Sequence, residues 1–154
     1  MQFTEEHVLS QDKAKSFAQE QMKPNTSEWD RQGMFFEEQV LIQDMAKSFA
    51  QEQIKPYASE WDRQGTFPAQ ALQQMGQLGF MGMLVPEEWG GSATGNLAYV
   101  LALEEIAAAD GATSAIMSVH NSVGCVPILK FGTEEQKQQF LVPLAKGEMI
   151  GAFA

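Results

Sequence analysis

The first 65 residues contain the same segment twice. Residues 3–33 recur at an offset of 32 as residues 35–65, and 24 of the 31 aligned positions are identical. Such a repeat is considered before any local pattern, because it constrains the whole architecture. Only one unit is copied, so the pattern predicts one duplicated helix ahead of a single-copy remainder rather than a solenoid. We expect residues 1–34 to hold the first copy and residues 35–154 to form a helical domain, compact as one unit overall.

Composition indicates a soluble globular protein. The chain has 154 residues, of which 44% are hydrophobic and 19% charged, enough for one domain with a core. The formal net charge of −10 argues against nucleic acid or an anionic membrane as partner, since both need clustered Lys and Arg. The N-terminus lacks the pattern of a signal peptide, and no apolar run of membrane-spanning length stands out. A soluble protein of cytoplasmic type is the expectation.

Each copy of the repeat is predicted to be a long amphipathic helix. Apolar residues recur at turn-like spacings, and Thr4 can cap the first copy. Pro24 and Pro56 fall inside the two helices and should kink them, because proline removes an N–H and crowds the preceding turn. Gly33 and Gly65 are the predicted C-terminal ends.

The remainder is predicted to add four more helices, giving an all-α bundle of six to seven. The first opens at Pro68, the second runs from Leu97 to Ala109 under an Asn96 cap, and the third spans 113–131. Thr133 and Gln136 form a capping-box signature for the fourth, which runs to about residue 146. The second is apolar on most sides and so predicted to be central. Residues 80–85 are predicted to be extended, and the tail MIGAFA to begin a strand.

No catalytic constellation emerges from the residues themselves. Glu104 and Glu105 are adjacent on a helix and do not face each other, so a solvated or capping role is expected. Ser118, His120 and Ser122 point to different sides of a predicted helix, which favours a structural histidine. One cysteine and two histidines exclude the usual zinc sites, so no metal is expected. The methionines and tryptophans are interpreted as packing residues.

Four stretches of the chain carry a family resemblance. They are, in order, EEQVLIQDMAKSFAQEQIKPYASEWDRQGTFP, LGFMGMLVPEEWGGSATG, ALEEIAAADGATSAIMSVHNSVG and FGTEEQKQQFLVPLAKGEMIGAFA. Together they cover about residues 37–154 and resemble the N-terminal α-helical domain of acyl-CoA dehydrogenases. In that family a flavoprotein removes two hydrogens across Cα–Cβ of an acyl-CoA thioester. The helical domain there packs against a β-domain and a C-terminal helical domain.

The resemblance implies where site residues would lie. It places one wall of the acyl pocket at Ala115, Ile116, Val119 and Val123, which also share a helical face and could equally be core. It gives Phe153 as the one position that corresponds to flavin contact. The family's catalytic carboxylate belongs to its C-terminal domain, beyond residue 154. The resemblance therefore implies that this chain has no catalytic residue, no FAD of its own and no dehydrogenase activity by itself.

The two copies differ in one direction. Four of the seven differences place a polar residue in the first copy where the second has an apolar one: Thr4 for Phe36, Ser10 for Ile42, Lys13 for Met45 and Asn25 for Tyr57. This pattern favours a helix whose sequence was changed for a more solvent-exposed position, through engineering or through selection. Our leading hypothesis is a fragment or engineered helical domain whose added helix covers apolar surface.

Two other hypotheses remain open. The chain could be a component that completes a flavin-dependent dehydrogenase and contributes a wall of the acyl pocket. It could instead be a helix-exchange or domain-swapping module, as monomer or homodimer through its helices. Against exchange, Lys13 and Asn25 would have to enter a slot shaped for Met45 and Tyr57.

Overall fold

The structure is a computed structural model that describes residues 34–152. The regular elements in that range are helical, which confirms the all-α prediction. They form five long runs within the described residues, one for each helix predicted after residue 34. The first copy of the repeat, with its predicted Thr4 cap, Pro24 kink and Gly33 end, lies outside the described residues, and so does Phe153.

Eight α-helical segments make up these runs and are numbered in chain order. The first run contains α1 (Met34–Phe49) and α2 (Lys55–Gln64), followed by α3 (Ala69–Gln77) and α4 (Gly95–Ala109). The fourth run contains α5 (Gly111–Val119) and α6 (Val126–Phe131), and the fifth contains α7 (Glu134–Gln136) and α8 (Val142–Ala145). Short 3₁₀ turns at Phe80–Gly82 and Glu87–Trp89 connect α3 to α4.

Three π-helical segments join the paired α segments, and each stands just before a proline. Ala50–Ile54 precedes Pro56, His120–Cys125 precedes Pro127, and Lys137–Leu141 precedes Pro143. A proline ring collides with the carbonyl four residues earlier, so a helix continues through it only if the preceding turn widens. A kink was predicted at Pro56; the structure places a π-helical segment before this proline, and the bend itself stays a prediction. We had not predicted it at Pro127 and Pro143, although the same chemistry applies there.

The helix ends were predicted best where a side chain or a glycine decides them. Gly65 ends α2 in the left-handed conformation, with φ of 62°, as predicted. Thr133 and Gln136 form the predicted capping box: the Gln136 amide N–H donates to Thr133 Oγ1 at 3.3 Å, and the Thr133 N–H donates to Gln136 Oε1 at 2.9 Å. Pro68 stands at the position just before α3 rather than at its first residue.

Two predicted helix starts were wrong by two residues. The helix predicted from Leu97 begins at Gly95, so Asn96 lies in its first turn and Thr94 takes the capping position without a side-chain cap bond. The helix predicted from Thr113 begins at Gly111, because the Asp110 carboxylate accepts the Thr113 N–H at 2.8 Å and caps it. Asp110 both ends α4 and starts α5.

Residues 80–85 are not extended. They fold into a compact turn in which the Gly82 N–H donates to the Gly79 carbonyl at 3.2 Å and the Val85 N–H to the Gly82 carbonyl at 3.1 Å. Five of these six residues are buried, so the apolar run reflects burial rather than strand structure. Residues 149–152 are irregular, so the predicted strand does not begin within the described part of the tail.

The core lies between the first run, α3, the 80–83 turn and α4. It includes Phe49 and Phe80, whose rings meet edge to face with centroids 6.3 Å apart, and Ile54 at 0% exposure. Met75, Met81, Met83 and Met117 are buried, in line with packing roles for methionine. α4 is buried on one side only: Leu97 and Val100 are exposed, which corrects the prediction of a central helix.

The fourth run is long and apolar enough to cross a membrane by length and composition. It spans 21 residues, Gly111–Phe131, whereas the sequence reading had found no stretch of that kind. The observation is weak, since core helices of soluble proteins meet the same criterion. Its buried side carries polar residues, His120 and Asn121, that are hydrogen-bonded to other parts of the chain.

Candidate functional site

The residues proposed for the acyl-pocket wall lie on the fourth run. Ala115, Val119 and Val123 follow one another at intervals of four residues and are all exposed, the two valines at 38% and 39%. Ile116 is half-buried and packs against the core. The alternative that all four are core residues is therefore wrong for three of them. We call Ala115, Val119 and Val123 the apolar stripe.

The buried side of the same run carries two polar residues that are hydrogen-bonded. His120 and Asn121 are at 0% exposure and lie within the π-helical segment between α5 and α6. Widening a helix by one residue rotates the side chains that follow it, which changes the side that faces the core. The stripe and these two buried residues are thus opposite sides of one helical run.

His120 connects this helix to the end of the described chain. Its Nδ1 accepts the Gly151 N–H at 3.0 Å, so this nitrogen carries no proton, and Nε2 lies 3.0 Å from the Leu144 carbonyl oxygen, to which it donates. Burial lowers the pKa of His120 below its ordinary 6.5, against the smaller opposite effect of its hydrogen bonds with the backbone of Leu144 and Met81. His120 is a neutral, satisfied structural histidine, as predicted.

Asn121 holds the 80–83 turn against the same helix. Its Oδ1 accepts the Met83 N–H at 3.0 Å, while Nδ2 donates to the Phe80 carbonyl at 2.9 Å and to the Met117 carbonyl at 3.1 Å. Sequence reasoning passed over this residue. The signal that could have found it is an amide in the middle of an otherwise apolar helix, since a buried amide needs partners.

The serine, glutamate and cysteine side chains considered as catalytic candidates do not form a nucleophile–base pair in the structure. Ser122 Oγ donates to the carbonyl of Ser118 at 2.6 Å, a bond within the helix. Glu104 is exposed, and Glu105 accepts a hydrogen bond from Gln43 Nε2 at 2.9 Å. Burial raises the pKa of the Cys125 thiol to about 12, which disfavours the nucleophilic thiolate. The described residues contain no cluster of three metal-ligating side chains.

The described residues offer a flavin no buried side-chain nitrogen or oxygen that lacks a hydrogen-bond partner. Every buried side-chain nitrogen and oxygen from 34 to 152 already has a hydrogen-bond partner. A groove of about 460 Å³ exists, but it is lined by Phe67, Leu72, Lys146 and six other residues, none of which belongs to the apolar stripe. The residues present therefore do not fit FAD by themselves.

Comparison with known proteins identifies one family whose model matches this chain. The family described as "Acyl-CoA dehydrogenase, N-terminal domain" matches residues 36–148, which is most of the chain. The matched range begins one residue into the second copy of the repeat, so it leaves the first copy outside.

Curated relatives agree over a shorter stretch. The bovine mitochondrial short-chain specific acyl-CoA dehydrogenase is 52% identical over 88 residues, and an acyl-CoA dehydrogenase of Bacillus subtilis is 48% identical over 88 residues. In both alignments the stretch is 57% of this chain. It is 21% of the bovine protein and 23% of the bacterial one, so the chain spans about a fifth of the relatives it matches.

Solved structures show the same fold. Butyryl-CoA dehydrogenase from Megasphaera elsdenii superposes with a TM-score of 0.67 and 33% identity, over 73% of this chain and 30% of that one. An acyl-CoA dehydrogenase from Bacillus anthracis, solved in complex with FAD, gives a TM-score of 0.71 at 30% identity, over 77% and 20%.

Proposed function

This chain belongs to the acyl-CoA dehydrogenase family, and we propose that it is the family's N-terminal helical domain acting as a packing module without catalysis of its own. The single observation that carries the proposal is the apolar stripe. Ala115, Val119 and Val123 are exposed on a helix whose other side is fully bonded. An apolar surface set opposite a complete core indicates that another protein surface packs there.

In the family setting this stripe would form part of the acyl-pocket wall. FAD-dependent dehydrogenation needs a positioned base and a flavin, which we propose that other domains supply. Phe153, for which flavin contact was predicted, lies outside the described residues, and its role stays a prediction. The component hypothesis follows from this: with the rest of a dehydrogenase, the stripe would bound the acyl chain while other domains perform the chemistry.

For the chain as it stands, we propose that residues 1–34 form a helical cover for residues 35–154. At about 25 cal/mol per Å², covering several hundred Å² of apolar surface contributes several kcal/mol. That is comparable with the whole stability of a domain. The polar replacements in the first copy suit a helix with a wetter outer side. We propose engineering as the simplest origin of the duplication, with selection after a natural duplication as the alternative.

Deleting residues 1–33 tests the cover. We expect the shortened chain to bind more of an apolar fluorescent dye, to unfold at lower urea and to associate in light scattering. Adding V119S and V123S to the shortened chain should reverse the gain in dye binding if the stripe is the covered surface. The matched control is L97S with V100S, which changes the exposed side of α4 instead. A shortened chain that is equally stable, monomeric and free of dye would refute the cover.

A separate experiment tests catalysis. The full chain is mixed with FAD, passed through a desalting column and assayed with an acyl-CoA and an electron acceptor. We expect no retained flavin colour and no turnover. Retained flavin together with turnover by the chain alone would refute the non-catalytic proposal. Turnover that appears only when the remaining domains of a relative are added would favour the component hypothesis.

A further inference from the structure

We infer that residues 3–33 are a second occupant for the slot that residues 35–65 fill in this structure, so that the two copies exchange. The slot is the surface of α3, the 80–83 turn and α4 against which the first helical run packs. The inference does not depend on the cover proposed above. It concerns which copy is in the core, and it follows from comparing the two copies at the positions that the core buries.

Four residues of the second copy are buried in the slot: Ala46, Phe49, Ala50 and Ile54. The first copy has the same residue at three of these positions, as Ala14, Phe17 and Ala18. At the fourth it has Met22 in place of Ile54, a hydrophobic exchange of similar volume that cores tolerate well.

The polar and aromatic contacts of the slot are also duplicated. Gln43 donates to Glu105 at 2.9 Å, and Trp61 packs partly buried against the core. The first copy offers Gln11 and Trp29 at the equivalent positions.

The widened turn before Pro56 has its counterpart too. The π-helical segment Ala50–Ile54 and the proline after it match residues 18–22 and Pro24, with Met22 the one difference before the shared Lys-Pro. Gly65 ends the helix with a positive φ, and Gly33 is its equivalent. The first copy can therefore follow the same backbone path from end to end.

The objection from the sequence is removed by the structure. Lys13 and Asn25 replace Met45 and Tyr57, which we had expected to lie in the slot, but these side chains are 36% and 49% exposed. A lysine and an asparagine at those positions would face solvent. The expectation that Lys13 and Asn25 would have to enter the buried slot was therefore wrong.

Other differences set which copy dominates. Ile42 packs against the core, and Ser10 in its place would lose that contact. The Tyr57 ring stacks on Trp61 at 5.8 Å, and Asn25 would not. With the first copy in the slot, residues 34–65 would form a loop before Thr66, and closing a loop costs entropy that grows only slowly with length. The second copy is the main occupant and the first is the minor one.

The test measures hydrogen exchange by mass spectrometry in the full chain. The copies give peptides of different mass, for example MKPNTSEW and IKPYASEW. F49A opens a cavity under the second copy only. In F49A we expect protection from exchange to move from residues 35–65 to residues 3–33. The control is L41A, which also truncates a large side chain to alanine but at a position that is 69% exposed, and there protection should not move.

Two further variants keep the result decisive if F49A is poorly folded. F17A combined with F49A damages both copies, so it should lower the urea midpoint by more than the sum of the separate shifts. The triple change S10I, K13M and N25Y gives the first copy the residues of the second at three of the seven differing positions. Protection should then divide between the two segments. The inference is overturned if the shifts are additive, if protection stays on residues 35–65 in the triple variant, or if light scattering shows the exchange only within a dimer.

Discussion

Asn121 binds the backbone of Met83 across a sequence separation of 38 residues. The Met83 N–H donates to Asn121 Oδ1 at 3.0 Å, and the same amide donates from Nδ2 to the Phe80 carbonyl. One side chain thus bonds to the backbone at both ends of the buried 80–83 turn.

Replacing Asn121 by Ala would leave the Met83 N–H and the Phe80 carbonyl buried without partners. Each such group costs roughly 1–3 kcal/mol, so we expect a loss of about 2–4 kcal/mol in the free energy of unfolding. Urea unfolding followed by circular dichroism measures it. The matched control is S122A, one residue on and exposed, with an expected change within about 0.5 kcal/mol. Equal losses in the two variants would contradict the role of Asn121.

His120 should make stability depend on pH. Burial lowers its pKa below 6.5 in the folded chain, so the unfolded chain binds more protons as the medium becomes acidic. Its contribution is therefore present above pH 6.5 and is lost as pH falls toward the folded pKa, with a limiting slope of about 1.4 kcal/mol per pH unit.

The comparison is between the unmodified chain and H120Q, with unfolding free energies measured from about pH 7 down to about pH 5. All other titratable groups are the same in the two proteins, so the difference between their unfolding free energies reports on His120. We expect the unmodified chain to lose more stability over this range. Parallel curves would show that His120 is not held neutral.

Gly91 is required by close packing of two backbone segments. A Cβ at this position would overlap the carbonyl oxygen of Val85 and come within 2.6 Å of the Gly82 carbonyl oxygen. We expect G91A to lower stability by about 1–3 kcal/mol through overpacking. Thermal unfolding measures the change. G111A is the control, because a Cβ on Gly111 meets nothing within 4 Å, and it should be neutral or slightly stabilising.

Cys125 should be unreactive in the folded chain. Its side chain is at 0% exposure, and burial raises its pKa to about 12, so little thiolate is available. We expect a thiol reagent at mildly alkaline pH to modify it at least about a thousandfold more slowly than in urea, since reaction has to wait for opening. Absorbance of the released chromophore follows the reaction. Prompt modification without urea would contradict the burial of Cys125 in a cluster with Leu141 and Leu144.

Several features of the fold could be predicted because neighbouring residues decide them. The Thr133–Gln136 box and the Gly65 end are local hydrogen bonds and backbone conformations, and both are as predicted. The prolines also act locally, and a consistent reading would have predicted the disturbed turns before Pro127 and Pro143. The extended reading of residues 80–85 was wrong because an apolar run indicates burial without showing which backbone conformation achieves it.

The candidate site was predictable only in part. The spacing of Ala115, Val119 and Val123 predicted that they share one face, but not that this face is exposed. Asn121 was missed, although an amide within a helix rich in apolar residues is a signal that could have found it. The identity of the repeated segment was visible at once. The sequence did not show that the differences between the two copies avoid most of the positions that the core buries.

The sequence by itself determined the helical runs after residue 34 and the ends at Gly65 and Thr133, because each depends on residues within a turn or two of one another. It also showed the two near-identical copies directly. Only the tertiary structure decided which side of each helix is buried. Burial of Phe49, Ile54, His120 and Asn121 depends on partners tens of residues away, such as Phe80 and Leu144. Spacing along one helix defines a face, but the neighbours that cover it are set by packing of the whole chain.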